Sequence, residues 1–260
     1  MLEKIFGCAL VTKLRSILLM EADFNVTNKI IYGQRMMNTV RKYKLMPKEI
    51  FSEKNRLADD WTLPKVLFYD IIRQTHLSAG ISAVDADNCY DRIAHPIALL
   101  VFQVLEVPKE AAASMCSTIQ NMQFYLRTGF SDSSESAGAV GNIKTQGMCQ
   151  GNGAASTAWT VTSITIINAH KKKGHGVRIT TPISKLDLHL AGSLFVNDTD
   201  LMHLDTHKSE TALEAMEALQ DAVTNWGCLL IAMGGGAETC EILLPSNLLL
   251  VEAGWDLALR

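Results

Sequence analysis

The chain has 260 residues, 48% of them hydrophobic and 20% charged, so it reads as globular, with apolar material for one large core or two small ones. A formal net charge of −3 and a pI near 6.2 exclude a protein drawn to nucleic acid by bulk charge alone, although local basic residues around an acidic site would be averaged away in that sum. Six cysteines (Cys8, Cys89, Cys116, Cys149, Cys228, Cys240) form no CxxC pair and no Cys/His ladder, which argues against a zinc site or a disulfide framework and makes an intracellular setting the default.

In the N-terminal MLEKIFGCALVTKLRSILLM, Lys13 and Arg15 interrupt the apolar run before it reaches signal-peptide or membrane-span length, so no targeting segment and no membrane association is expected. Structured-looking sequence begins almost at once, as in a piece of a longer polypeptide. Over residues 15–46, Ile30, Ile31, Met36, Met37 and Val40 approach helical spacing, and a helix is predicted from near Thr27. Residues 47–65, with two prolines and little periodicity, read as a connection before the helical KVLFYDIIRQ. GISAVDAD is short, apolar and β-branched until its acids, the pattern of a buried strand that ends at a functional edge.

Pro96 and Pro108 each open a predicted helix, through IALLVFQVL and through VPKEAAASMCSTIQNMQFYL. Residues 129–147, rich in Gly and Ser, read as an exposed loop or loose hairpin. Residues 153–173 read as a buried helix with a lysine-rich C-terminal end. LHLAGSLFVNDTDLMHL is predicted to be a β-hairpin with an acidic turn. The helix SETALEAMEALQDAVTNWGCLLIAM follows, with Ser209 as its cap, Leu213, Met216 and Leu219 on one face, and Gly234 to Gly236 as its stop. The order of elements predicts an α+β sheet with helices on one side.

Two acidic clusters carry chemistry. On a strand, Asp85 and Asp87 point to one face, and like charges at the end of an apolar strand repel unless a cation lies between them. An Asx-type turn with solvated acids is the other reading. The second cluster, Asn197-Asp198-Thr199-Asp200, sits at a hairpin tip where a structural turn would favour glycine. Together the clusters fit phosphoryl transfer, in which carboxylates from two adjacent strands hold divalent ions about 3.5 to 4 Å apart.

DADNCYDRIAH resembles the first palm motif of reverse transcriptases of the non-LTR retrotransposon and group II intron type. Gly147-Met148-Cys149-Gln150-Gly151-Asn152-Gly153 resembles their second motif, usually Pro-Gln-Gly, and FVNDTD stands in the place of the third. Upstream, Arg15-Ser16-Ile17-Leu18-Leu19 resembles a fingers segment with an Arg-Pro-Ile-Ser-Leu core. The resemblance covers roughly residues 10 to 240, with the motifs in the family's order. It implies a right-hand polymerase palm, an antiparallel sheet with helices packed on one face, with partial fingers over residues 1–80, palm over 81–245 and an unassigned tail over 246–260.

Carried over by position, the resemblance makes Asp85 and Asp198 the catalytic aspartates, and Asp85, Ala86 (through its carbonyl), Asn197 and Asp198 the surroundings of Mg²⁺ or Mn²⁺. Tyr90 would lie beneath the incoming sugar, Gln150 and Gly151 beside nucleotide and template, and Arg15 at the triphosphate. The implied partners are an RNA template, a DNA primer and dNTP. Each residue also has an ordinary reading: Tyr90 as core, Gln150 beside a helix cap, Arg15 as surface.

The pattern is broken in places. Asn197 stands where the family's third motif has a metal-binding aspartate, and an amide oxygen brings no charge. The fourth palm motif's lysine, a proposed acid for the leaving pyrophosphate, is absent; GGGAETCEILL has Glu238 and Thr239 there. A missing general acid removes about 10²- to 10⁴-fold in rate. Cys149 replaces the usual proline, a change read as one of backbone stiffness. The tail from Pro245 matches nothing familiar, and no thumb, RNase H or endonuclease segment is recognised in these residues, so product grip is expected to come from elsewhere.

The leading expectation is therefore an RNA-directed DNA polymerase domain of a mobile element with impaired turnover. The second is an inactive reverse-transcriptase-like module that binds nucleic acid, with Lys171, Lys172, Lys173, His175 and Arg178 as support. The third is a small metal-dependent hydrolase or a structural protein. The first two require Asp85 within about 6 Å of Asn197 or Asp198.

Overall fold

The structure, a computed structural model, describes residues 2–3, 14–15, 17–53, 55–128, 130–138, 144–181, 183–206, 210–244 and 249–252. In chain order the elements are β1 (Leu2–Glu3), β2 (Leu14–Arg15), α1 (Ala22–Asn28), a π-helical stretch (Lys29–Arg35), α2 (Met36–Lys42), α3 (Ala58–Thr75) and β3 (Ala79–Ala86). Then come α4 (His95–Val104), α5 (Lys109–Gln120), β4 (Gln123–Arg127), β5 (Asp132–Gly138), α6 (Ala155–Lys172), β6 (Val177–Thr180) and β7 (Asp187–Leu190). The remainder is β8 (Gly192–Phe195), β9 (Asp198–Leu204), α7 (Ala212–Ala232), β10 (Ala237–Leu244) and β11 (Leu249–Glu252). The chain divides into two compact units, Met1–Lys44 with Tyr90–Thr162, and Leu45–Cys89 with Ser163–Arg260.

The first unit is mainly helical. Helix begins at Ala22, five residues before the predicted Thr27, because Glu21 is extended and its carbonyl already accepts the Asn25 N–H at 2.9 Å. Tyr32, Met36 and Val40, four residues apart, form the buried stripe of this segment. The Tyr32 ring stacks on Phe102 of α4, and its hydroxyl donates to the Ala111 carbonyl of α5 at 2.6 Å. Pro96 and Pro108 open α4 and α5 as predicted. The second of these helices ends at Gln120, not at Leu126: the Asn121 amide turns back to the Ser117 carbonyl, and residues 123–127 pair with β5 as an exposed hairpin closed by Arg127 on Asp132.

The second unit is built on a five-stranded sheet of order β11-β10-β3-β9-β8, antiparallel throughout. Central β3 holds Ile81 opposite Met202 and Ala79 opposite Leu204, and Phe68 and Ile72 of α3 pack on these pairs. Helix α3 starts at Ala58 and runs through Pro64, so the predicted connection over 47–65 is half helix. Proline removes one helical hydrogen bond there, but Trp61, Lys65, Phe68 and Ile72 bind this helix to the sheet along its length. Ile50 bridges to Leu194 of β8, which anchors the chain just before α3.

The buried stripe of α7 is Ala215, Leu219, Ala222, Trp226 and Leu230; predicted Leu213 lies on the exposed side. Ser209 lies outside the described residues, and the cap is Thr211, which forms a reciprocal box with Glu214. Gly234, at φ +93°, follows the end of the helix. Of the unassigned tail, residues 249–252 form β11 at the sheet edge. The expected α+β architecture, helices against an antiparallel sheet, is what forms.

Candidate functional site

The predicted hairpin is β8 and β9 joined by Val196 and Asn197, with Phe195 opposite Asp198. Asp198 is in turn directly opposite Asp85 on β3, and Asp200 opposite Ala83. Cross-strand partners share a face, and the period of two puts Asp85, Asp198 and Asp200 on the same face as Ile81 and Met202, the face that α3 covers. Burial, then the charges of Asp85 and Asp200, push the Asp198 carboxyl above its ordinary pKa, while Lys65 opposes them.

Asn197 is bonded to this pair. Its Nδ2 donates to Asp85 Oδ1, and its backbone carbonyl accepts the Ala86 N–H at 3.1 Å. Asp85 thus lies well within the distance that the acidic clusters require. Val196 takes φ +57°, unusual for a β-branched residue, to make the two-residue turn. On the other side of β3, Thr239 of β10 is the register partner of Asp85, and the Gly236 carbonyl accepts the Asp87 N–H at 2.8 Å.

Two carboxylates side by side are an arrangement that a divalent cation relieves, and in that respect Asp85 and Asp198 fit one. The fit is incomplete. Asn197 adds no charge, and its N–H is directed at the carboxylate oxygen that a cation would share. Among the described residues, no group of three or more His, Cys, Asp or Glu side chains is arranged to hold a metal ion.

Of the remaining predicted residues, Tyr90, Gln150 and Gly151 meet in the first unit at the loop Gly147–Gly153. The Tyr90 carbonyl accepts the Met148 N–H at 2.7 Å, and the Asp91 carboxylate accepts the Gln150 N–H at 3.0 Å. His95, 4% exposed, places Nε2 at 2.7 Å from the Gly147 carbonyl and Nδ1 at 2.9 Å from the Gln120 amide nitrogen. A carbonyl only accepts and an amide nitrogen only donates, so this ring carries its proton on Nε2. From the other side, Leu18 donates its N–H to the Gln150 carbonyl at 2.8 Å. The Asn25 side chain bridges the Gly151 carbonyl and the Gly153 N–H.

Gly147 and Gly151 are required by this clasp. Both have positive φ, and a Cβ on either would lie 2.2 Å from a backbone oxygen, of Asp91 and of Leu18 respectively. Cys149 has φ +62° and is 2% exposed. Proline is confined near φ −65°, so here the cysteine marks a different backbone conformation rather than a change of stiffness. Burial, with Asp91 adding, pushes its thiol up to about 12 and keeps it protonated.

Of Arg15 the structure describes a backbone position on β2, paired with Leu2, and Ser16 lies outside the described residues. Lys171 pairs with the buried Glu49 at 2.5 Å, which commits this lysine within the second unit.

No protein-family model and no curated protein sequence matches the chain. Among solved structures it is similar to telomerase from Candida tropicalis in complex with a TWJ fragment of telomeric RNA, with a TM-score of 0.53 at 11% identity over 89% of this chain and 35% of that one. The chain has a polymerase palm-like fold. Telomerase from Candida albicans in complex with a TWJ fragment of telomeric RNA also matches, at 13% identity and a TM-score of 0.46 over 85% of this chain and 34% of that one. The palm-like chain spans about a third of the length of these telomerases.

Five residues contribute in ways that escape sequence reasoning. Lys65 and Trp61, one helical turn apart, are hidden because Pro64 suggests a connection there. Asn25 carries no motif. Asp91 and His95 are visible as motif letters, but their work of holding a loop some 55 residues downstream is a matter of tertiary structure.

Proposed function

We propose that the chain is a reverse-transcriptase-like domain that engages an RNA template and a DNA primer, descended from an RNA-directed DNA polymerase of the non-LTR retrotransposon or group II intron type. The observation that carries this reading is the pairing of Asp85 with Asp198 across the adjacent strands β3 and β9, with Asn197 in the β8–β9 turn beside them and hydrogen-bonded to Asp85. Residues 1–80 are assigned to partial fingers and 81–245 to the palm.

On this reading Asp85 and Asp198 would hold Mg²⁺ or Mn²⁺, with the Ala86 carbonyl and a turned Asn197 amide as neutral neighbours. Such an ion polarises phosphate oxygens and acidifies a primer hydroxyl when bound. Tyr90 would bound the sugar of the incoming dNTP, Gln150 and Gly151 would lie along the nucleotide and template, and Arg15 would offset triphosphate charge. Asn197 removes one negative charge from the donor set, and the fourth motif has no lysine to protonate the leaving group. Both losses lower turnover.

A second reading, an inactive module that retains only nucleic-acid binding, is favoured by the same Asn197–Asp85 bond, which ties up a catalytic carboxylate from within the chain. Primer extension on an RNA template with Mg²⁺ or Mn²⁺ separates the two. The polymerase reading expects weak extension that Asn197→Asp raises by at least tenfold. Salt-dependent primer-template binding with no extension in either protein supports the binding module, and absence of binding removes both readings.

A further inference from the structure

Asp200 is 5% exposed, and it does not stand alone. Lys65 of α3 places Nζ 2.9 Å from Asp200 Oδ2, with side chains 21% and 8% exposed. This ammonium also lies 3.6 Å from the centroid of the Trp61 ring. Trp61 is fixed in turn: its Nε1 donates to Ser193 Oγ at 3.1 Å, and its ring stacks on Phe195 at 5.6 Å. The Ser193 hydroxyl donates to the same Asp200 oxygen at 3.3 Å, closing a ring of contacts.

A lysine on an exposed helix is ordinarily a mobile, hydrated charge. Here the indole face and the carboxylate hold it from two sides, in a place only partly open to water. Its field reaches Asp198, two residues along the strand on the same sheet face, where it offsets the like charges of Asp85 and Asp200. Asp85 has the Asn197 amide as its donor. Within the second unit, one of the three carboxylates is thus ion-paired, a second is hydrogen-bonded, and the third feels the lysine's field. A divalent cation arriving between Asp85 and Asp198 would meet a fixed positive charge close by.

We propose that Lys65 is a built-in counter-ion of the acidic face, which keeps Asp85, Asp198 and Asp200 together without a divalent cation and opposes the binding of one. The inference rests on the reading of Asp85 and Asp198 as the metal-holding pair. Its consequence is that the chain departs from a metal-dependent site in two places, at Asn197 in the turn and at Lys65 on the covering helix.

The test uses the full chain and Mn²⁺ alone, read by the electron paramagnetic resonance signal of free Mn²⁺ and by thermal unfolding with and without the ion. The original protein and Lys65→Arg should take up Mn²⁺ weakly and show little change in unfolding temperature. Lys65→Met should bind Mn²⁺ at least tenfold more tightly, unfold at a higher temperature when the ion is present, and lose that gain when Asp85→Asn is added. If Lys65→Met does not fold, Lys65→Gln, which removes the positive charge but keeps a polar side chain beside Asp200, carries the same expectation.

Unchanged Mn²⁺ binding in Lys65→Met, alongside a gain in Asn197→Asp, overturns the role of Lys65 and leaves the metal reading standing. A gain that Asp85→Asn does not abolish places the ion elsewhere and also overturns the proposal. No gain in either variant removes the metal reading and the inference together.

Discussion

The Asp91 carboxylate accepts the backbone N–H of Gln150 at 3.0 Å, across 59 positions of sequence. Burial raises the pKa of this carboxyl, and the Gln150 hydrogen bond pulls it back down. Asp91→Ala leaves that N–H without its acceptor, at a cost of about 1–3 kcal/mol. Asp91→Asn, which keeps an acceptor oxygen, should lose less. Denaturant unfolding of both variants, with hydrogen exchange at the Gln150 amide, checks the order; equal losses would show that the bond contributes only through charge.

Gly151→Ala should be among the most damaging single substitutions in the first unit. The residue has φ +113°, and a Cβ would meet the Leu18 carbonyl oxygen at 2.2 Å. Backbone strain and overpacking together suggest a loss on the order of 3 kcal/mol. Unfolding midpoints measure it, and Gly174→Ala is the control: that position also has positive φ, but nothing lies within 4 Å of the added carbon.

Val196→Gly should act in the opposite direction. A β-branched residue at φ +57° carries a strain that glycine lacks, partly offset by the extra chain entropy glycine gives the unfolded state. A net gain of about 1 kcal/mol is expected from chemical denaturation. No gain would mean that the valine side chain makes up its strain through packing.

His170 predicts a pH dependence. It is fully buried, with its ring 5.3 Å from Trp226 and stacked on His175, and Nε2 has no hydrogen-bond partner. Burial, with His175 and His189 adding, lowers its pKa to about 4 against the pull of Asn225. An unfolded histidine titrates near 6.5, so above that pH neither state gains a proton at this site. As pH falls from about 6.5 to about 4 only the unfolded state takes one up, and up to about 3 kcal/mol of stability is lost. Urea unfolding at pH 7.5, 6 and 5 should show this slope, flattened in His170→Phe; an equally steep slope in the variant would assign it to other groups.

The acidic face was largely legible in sequence, because alternation on a strand and the tip of a hairpin are local properties. Asp85 and Asp198 could be paired from motif order alone, and the register brings them opposite one another. The start of α3 was obscured because Pro64 is locally a helix breaker, and only the packing of Trp61, Phe68 and Ile72 against the sheet outweighs it. The end of α5 was missed for a related reason: residues 123–127 have no strand signal of their own until β5 is there to pair with them. Ser209 and Thr211 are both good caps, and only the reciprocal bond to Glu214 chooses between them. The clasp on Gly147–Gly153 was hidden most completely, since Asn25, Asp91 and His95 act on it across long stretches of chain.

Register along β3 is written in main-chain hydrogen bonds, from Ala79 opposite Leu204 to Asp85 opposite Asp198. Those bonds are indifferent to whether the side chain in the turn is an aspartate or an asparagine. A substitution such as the one at position 197 can therefore silence chemistry while leaving the scaffold intact, so the quality control that removes unfolded chains has nothing to detect. On the proposed reading, persistence and activity would be separate properties of this fold, because the side chain that sets activity plays no part in the main-chain pairing that sets persistence.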